Sequence, residues 1–117
     1  MVRDSIVFPD CIVGPGSVVD RAILDKNVVI GSEVRLGEGN DLRANRLQPR
    51  NLSTGITVVG KGARVPSGLR IGRNCLIAAD VIERDFLRYL STNGKVSNEL
   101  PSGETVEIAA GREAPVR

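Results

Sequence analysis

An aliphatic residue returns at every sixth position between residues 59 and 82. Four positions after each of these aliphatics stands a second residue that is small or apolar. A helix repeats its buried face about every 3.6 residues and a strand about every 2, so neither explains this period. Hexapeptide repetition is typical of a parallel β-helix, in which each hexad makes one short strand and one corner. The first set is Val59, Val65, Ile71 and Ile77, and the second is Ala63, Leu69, Cys75 and Val81.

The same period is present nearer the N-terminus, with one shift of register. The first register has Val7, Val13 and Val19 as aliphatics, with Cys11, Ser17 and Ile23 four positions later. The second register has Leu24, Ile30 and Leu36, with Val28 and Val34 also facing inward. We assign the slip to the corner 25–27, because its sequence Asp-Lys-Asn supplies turn residues.

Three hexads close one coil of a triangular prism, so residues one coil apart should stack. We expect Val13 over Ile30, Val19 over Leu36, and Val59 over Ile77. Glycines at the corners are expected to supply positive φ angles, which they adopt without a Cβ penalty.

The chain therefore reads as a single domain over residues 1–117. We predict an all-β fold, a left-handed parallel β-helix with a loop excursion and a short C-terminal cap. The coils are expected at 5–39 and 53–82, the excursion at 40–52, and the cap and tail at 83–117. Residues 83–90 group larger apolar side chains into a short helix that could cover the open end of the prism. Residues 95–100 and 104–110 look extended, and 111–117 looks like a frayed tail.

Composition excludes several classes of function. The chain has no histidine, which removes the commonest general base and any histidine-based metal site. Its two cysteines, Cys11 and Cys75, form no CxxC pair and are expected to be small buried thiols. No apolar run is long enough to cross a membrane, and no signal peptide is evident, so we expect a cytoplasmic protein. A net charge of +2 and few aromatics argue against nucleic acid as a partner.

A run without acidic residues extends from Leu42 to Ala79. All of its basic residues fall on positions that should reach solvent, which allows two interpretations. In the first, they form a solvated face that keeps the prism soluble. Alternatively, they form an anion site for a phosphorylated metabolite or a contact for another domain, since guanidinium groups bind phosphate in a bidentate manner. The seven residues are Arg43, Arg46, Arg50, Lys61, Arg64, Arg70 and Arg73.

Three stretches resemble one enzyme family. They are Ser5-Ile-Val-Phe-Pro9, Asp25-Lys-Asn-Val-Val-Ile-Gly31, and residues 54–68, which read TGITVVGKGARVPSG. Together they make residues 2–86 similar to the C-terminal β-helix domain of glucose-1-phosphate adenylyltransferases, also called ADP-glucose pyrophosphorylases. Those enzymes form ADP-glucose for the synthesis of glycogen and starch.

This resemblance implies a domain without a catalytic site. In the family, catalysis and the Mg²⁺ ion belong to a separate N-terminal nucleotide-binding domain, and nothing similar is found in this sequence. The β-helix domain serves subunit contacts and the binding of allosteric effectors. The implied partners are further copies of the chain, the N-terminal catalytic domain, or a phosphorylated metabolite. No catalytic residue, metal ligand or cofactor of its own is expected in this chain.

Rival functions stay open at this point. The chain could be a stand-alone hexapeptide acyltransferase that uses acetyl-CoA, or a γ-class carbonic anhydrase. The lack of histidine weighs against both, because the first uses a histidine base and the second needs three histidine ligands. It could also be a structural trimer without any ligand.

Overall fold

The computed structural model describes residues 1–112, which wind into a triangular prism of stacked coils. Each strand is only two or three residues long, because a corner follows every hexad. In chain order the elements are β1 (Val2–Arg3), β2 (Ile6–Val7), β3 (Ile12–Val13), β4 (Val18–Asp20), β5 (Ala22–Leu24), β6 (Val29–Ile30), β7 (Arg35–Leu36), β8 (Thr57–Val59), β9 (Arg64–Val65), β10 (Arg70–Ile71), β11 (Leu76–Ile77), α1 (Glu83–Leu90), β12 (Ser91–Thr92), β13 (Lys95–Val96), β14 (Glu99–Leu100) and β15 (Thr105–Val106).

The strands form the three faces of the prism. Face A consists of β1, β4, β7, β10 and β14, and face B of β2, β5, β8, β11 and β15. Face C consists of β3, β6 and β9. All pairs within the faces are parallel, and the predicted stacking is confirmed: Val13 pairs with Ile30, Val19 with Leu36, and Val59 with Ile77.

The register slip lies at a different corner from the predicted one. Leu24 comes five positions after Val19, whereas Ile30 comes six after Leu24. The short step is therefore the corner between faces A and B, where Arg21 turns the chain with φ +49°. The assignment of the slip to residues 25–27 is wrong. For the same reason Ala22 is buried in place of Ile23, whose side chain faces outward.

Glycines serve two purposes at the corners, and only one of them was predicted. Gly37 has φ +83°, as expected of a glycine in a turn. Gly14 and Gly31 do not have positive φ angles; they are needed because the coils approach closely. A Cβ on Gly31 would lie 2.6 Å from the backbone nitrogen of Ser67 in the next coil.

The inward side chains fill the prism with aliphatic residues. Every inward position of the middle coils is closed to solvent, whereas in the first coil Val7 is still 43% exposed. Cys75 is buried, as predicted, whereas Cys11 is only half-buried, and both thiols are free. The largest fully buried side chains are Phe86, Leu24, Ile30, Leu36, Ile71, Ile77, Leu100, Val19, Val28, Val34, Val59 and Val81.

The excursion and the cap both differ from the predicted bounds. No strand is formed between β7 and β8, so the excursion spans 37–56 rather than 40–52. It leaves from the corner between faces A and B. After α1 the chain forms an antiparallel hairpin, β12–β13, and then returns to the prism, where β14 and β15 add one more strand to faces A and B. The coils thus continue beyond residue 82, because residues 99–106 find open strand edges to pair with.

Helix α1 occupies the position that a fourth strand of face C would take. Its presence at residues 83–90 confirms the predicted short helix. It packs on β9 and β15, with Phe86 and Leu90 buried. Its third residue, Asp85, accepts the N–H of Ile82 at 2.9 Å, which satisfies one free donor at the helix N-terminus. Within residues 1–112, no helix is long and apolar enough to span a membrane.

The C-terminal segment is fastened to α1 by a buried ion pair. Asp85 is 1% exposed, and Arg112 donates to it from Nη2 at 2.7 Å and from Nε at 2.9 Å. The backbone N–H of Ala109 adds a further bond at 2.8 Å. The predicted frayed tail is therefore wrong for Arg112, and the rest of it, residues 113–117, lies outside the described residues.

Candidate functional site

The seven basic residues of the acid-free run lie on different parts of the prism. The topology separates them because consecutive hexads face different directions. Arg43, Arg46 and Arg50 are on the excursion, Lys61 follows β8 on face B, and Arg64 is on β9 of face C. Arg70 is on β10 of face A, and Arg73 follows it in the corner between faces A and B. One continuous patch of all seven is not formed.

Three of the seven pair with carboxylates: Arg46 and Arg70 through hydrogen bonds, and Arg73 at 3.8 Å from Asp20. Arg70 donates to both oxygens of Glu38, at 2.8 and 3.2 Å, and also lies 3.5 Å from Glu99. The hydrogen bonds and the charge of Glu38 raise the pKa of Arg70. Arg46 lies 3.4 Å from Glu104. These pairs hold the excursion and the last coil against the prism.

Glu104 also accepts a hydrogen bond from the hydroxyl of Tyr89 at 2.6 Å. Burial, followed by this hydrogen bond and the charge of Glu104, raises the pKa of Tyr89 to about 12. The hydroxyl therefore stays protonated at neutral pH and acts as a donor that supports α1.

Arg73 contradicts the expectation that all seven bases reach solvent. Its side chain is only 13% exposed, because the excursion crosses over it. Nε donates to the carbonyl oxygen of Gly39 at 2.6 Å. Nη1 is buried and has no hydrogen-bond partner among the described residues.

A cleft of about 160 Å³ lies beside Arg73, between face A and the start of the excursion. It is lined by two further arginines, Arg3 and Arg35, and by the carboxylates of Asp20 and Glu38. Sequence reasoning missed both arginines because they lie outside the acid-free run. The available signal was the coil spacing, which pairs Arg3 with Asp20 and Arg35 with Arg70.

Face B carries an outward row of aliphatic side chains, which we call the face B ladder. Ile6, Ile23, Val58 and Leu76 are directly paired along it, and Thr105 ends the row. Ile6 is 56% exposed and the other aliphatics are half-buried.

Face A is different, because Arg35, Arg70 and Glu99 occupy the equivalent outward row. Sequence reasoning missed the face B ladder because it followed the inward positions only. Each ladder aliphatic directly precedes an inward one, so the doublets Ile6-Val7, Ile23-Leu24, Val58-Val59 and Leu76-Ile77 were the signal.

Two buried asparagines fasten the excursion to its corner. Asn74 has φ +57°, and its Oδ1 accepts the N–H of Gly55 at 2.7 Å. Its Nδ2 donates to the carbonyl oxygens of Leu42 and Arg43 at 3.1 and 3.0 Å. Asn45 in turn donates to the carbonyl oxygen of Asn74 at 3.0 Å. The excursion is thus an ordered part of the domain.

Asn74→Gly should loosen the excursion while leaving the corner intact. Glycine accepts the positive φ angle, so the change removes only three hydrogen bonds. We expect a loss of about 2 kcal/mol in the free energy of unfolding and faster hydrogen exchange at the Gly55 amide. Urea unfolding and exchange by NMR measure the two effects.

The matched control is Asn93→Gly. Asn93 also has a positive φ, +50°, but its side chain is exposed. This variant should have the same free energy of unfolding as the parent. Equal losses in both variants would mean that the hydrogen bonds of Asn74 do not hold the excursion.

The described residues offer no evident centre for metal chemistry. Within residues 1–112, no three His, Cys, Asp or Glu side chains come close enough to hold a metal ion. Burial raises the pKa of the Cys75 thiol, so it is a poor nucleophile at neutral pH. The Mg²⁺ implied by the resemblance concerns the catalytic domain of such enzymes and stays an expectation.

The sequence model of the GLGC left-handed parallel beta-helix domain matches residues 4–70. The chain belongs to this family. Its prism is therefore a left-handed β-helix, and the predicted fold class is confirmed. No solved structure matches the chain.

Curated relatives agree with this GLGC-type domain. A glucose-1-phosphate adenylyltransferase from Thermomicrobium roseum is 54% identical over 92% of the chain and 23% of its own length. A second, from Acetivibrio thermocellus, is 37% identical over 89% of the chain and 24% of its own length. The chain thus spans about a quarter of the length of these relatives. The recognised resemblance is confirmed.

Proposed function

We propose that the chain is the non-catalytic, C-terminal β-helix domain of a glucose-1-phosphate adenylyltransferase, and that it serves oligomerisation and regulation. The names of the relatives and their greater length support this. The activity that the proposal gives to the whole enzyme is the formation of ADP-glucose, with Mg²⁺ in its catalytic domain. A cytoplasmic location is part of the proposal and is supported by the two free thiols.

The face B ladder is the observation that carries the oligomerisation role. Contiguous exposed apolar residues on a folded domain are typical of contact surfaces. The ladder has no charge along its length, so a second copy can pack on it without like-charge repulsion. The charged row on face A lacks this property.

Leu76→Lys is expected to turn an oligomer of the chain into a monomer. Leu76 lies in the ladder, half-buried and facing outward. The variant with lysine at this position should therefore fold, but it places a charge in the contact. Sedimentation velocity should show a smaller mass for the variant at the same protein concentration. A single interface charge of this kind weakens association by several kcal/mol.

The matched control is Val29→Lys, which places the same charge on an outward, half-buried position of face C. This variant should stay oligomeric. A parent chain that is monomeric at every concentration, or dissociation by Val29→Lys alone, would refute the face B contact.

Regulation by a phosphorylated metabolite is the second half of the proposal. The excess of arginine over carboxylate around the cleft supports it. The chain alone should not form ADP-glucose from ATP and glucose 1-phosphate, and it should not transfer acetyl groups from acetyl-CoA. Acetyl transfer would favour the alternative of a hexapeptide acyltransferase, and a trimer insensitive to every anion would favour a purely structural protein.

A further inference from the structure

A groove with two lobes lies where α1, the excursion and the last coil meet. One lobe, of about 270 Å³, is lined by α1 and by the segment after β15, and the other, of about 170 Å³, by the excursion and β15. Leu47, Tyr89 and Thr105 line both lobes, and we call the whole space the Tyr89 groove. Together the lobes reach the lower part of the range of about 300–1,000 Å³ that small-molecule sites occupy.

The apolar wall of the groove is exposed to water but held in place. Leu47 is 63% exposed and Tyr89 is 40% exposed. The hydroxyl of Tyr89 donates to Glu104 at 2.6 Å, which fixes the position of the aromatic ring. The N–H of Leu47 donates to Oδ1 of Asn45 at 3.0 Å, which fixes the backbone on the excursion side. A ligand that covers these side chains therefore has little conformational entropy to remove.

The polar residues of the groove balance each other in charge. Asp85 is already neutralised by Arg112. The remaining charged side chains are two arginines and two glutamates, so an anion would gain from the arginines and lose to the glutamates, and a cation would do the reverse. They are Arg46, Arg88, Glu104 and Glu107. This balance favours a neutral ligand.

Donors and acceptors in the groove are free to bind such a ligand. Within residues 1–112, neither Arg88 nor Glu107 makes a side-chain hydrogen bond or an ion pair. A guanidinium group only donates hydrogen bonds and an ionised carboxylate only accepts them. Thr105 donates its hydroxyl hydrogen to Oδ1 of Asn45 at 3.2 Å, so its oxygen remains an acceptor. A purely apolar ligand would desolvate these groups without pairing them.

We propose that the Tyr89 groove binds a neutral sugar, as one or two residues of an oligosaccharide. The C–H face of a sugar ring packs on Tyr89 and Leu47, and its hydroxyl groups accept from Arg88 and donate to Glu107 and Thr105. A sugar hydroxyl both donates and accepts, which matches the mixed polar groups of this groove. The inference goes beyond the proposed function and does not depend on it.

The intrinsic fluorescence of the chain tests this proposal directly. Tyr89 is the only tyrosine and there is no tryptophan, so the emission comes from the groove itself. Maltotriose and cellotriose, which are neutral oligosaccharides of α-linked and β-linked glucose, are titrated separately. At least one of them should change the emission and saturate, and the amide signals of Leu47 and Thr105 in the ¹⁵N-labelled chain should shift with the same midpoint. Inorganic phosphate should produce neither effect.

Arg88→Gln should raise the dissociation constant of the sugar that binds by about tenfold, the effect of losing one charged hydrogen bond. Arg84→Gln is the matched control, because Arg84 is an exposed arginine one turn earlier on α1 and lines neither lobe. Its sugar affinity should equal that of the parent. Lack of a saturable change with both sugars, competition by phosphate, or equal affinities of the two variants would overturn the proposal.

Discussion

Ile71→Asp should leave the chain unfolded at neutral pH. Ile71 is fully buried, and its strand β10 pairs with β7 on one side and β14 on the other. An unpaired carboxylate at this position loses its hydration without gaining a partner, which costs several kcal/mol. A domain of this size is stable by only about 5–15 kcal/mol, and the cavity left by isoleucine adds to the loss.

Circular dichroism and urea unfolding measure this effect. Two controls separate it from a general sensitivity of the prism. Ile71→Val keeps the side chain apolar and should cost only about 1 kcal/mol. Leu76→Asp places the same carboxylate at an outward position and should fold. A cooperative transition of Ile71→Asp at the midpoint of the parent would mean that residue 71 does not face the core.

Asp85→Asn should lower the free energy of unfolding by about 3 kcal/mol, because it leaves the largely buried guanidinium of Arg112 without its counter-charge. The carboxylate of Asp85 bonds to Arg112 and to the backbone N–H groups of Ala109 and Ile82. Its loss should also free the segment after β15. The change is measured by urea unfolding and by protease cleavage near Ala109.

The same pair predicts a dependence of stability on pH. Burial alone would raise the pKa of Asp85, but the bonds from Arg112, Ala109 and Ile82 outweigh it and lower the pKa from 3.8 to about 2. Because the folded-state pKa is depressed, the contribution is fully present above pH 3.8. It is lost as the pH falls from 3.8 through 2.

Unfolding free energies of the parent should therefore fall in this acid range more steeply than those of Asp85→Asn. Glu83→Gln is the control, since Glu83 is an exposed carboxylate in the first turn of the same helix. Its acid profile should follow that of the parent. Parallel profiles for the parent and Asp85→Asn would show that Asp85 titrates normally.

The inward-facing positions could be predicted from the sequence, because buried positions repeat every six residues and apolar residues therefore repeat at the same interval. Val59 over Ile77 follows from that period alone, and Val13 over Ile30 follows once the slip of one residue is counted. The position of the slip could not be predicted, because either Ala22 or Ile23 is apolar enough for the inward position. The choice between them depends on pairing with the neighbouring coils. The return of residues 99–106 to the prism was missed, since Leu100 and Val106 make only a single step of six residues, which the helix and the hairpin separate from the earlier hexads.

The candidate site was predicted less well than the fold. The charges along the chain predicted one continuous basic surface. In the prism, consecutive hexads lie on different faces, so basic residues that are close in sequence are separated in space. Arg3 and Arg35 meet Arg73 through stacking over long separations, which a local count does not detect. Arg112 lies in a segment that composition marks as a loose tail, and only its contact with Asp85 reveals its role.

From β1 to β11, all variation in coil length occurs at the edge between faces A and B. The step there is five residues in the first two coils, six in the coil of Ile71 and Ile77, and interrupted by the excursion between Leu36 and Thr57. The strands on either side stay in register through all of these changes. This edge can therefore accept foreign sequence without disturbing the core, so a peptide tag grafted between Leu47 and Arg50, where the side chains are exposed, should leave the thermal stability of the domain unchanged.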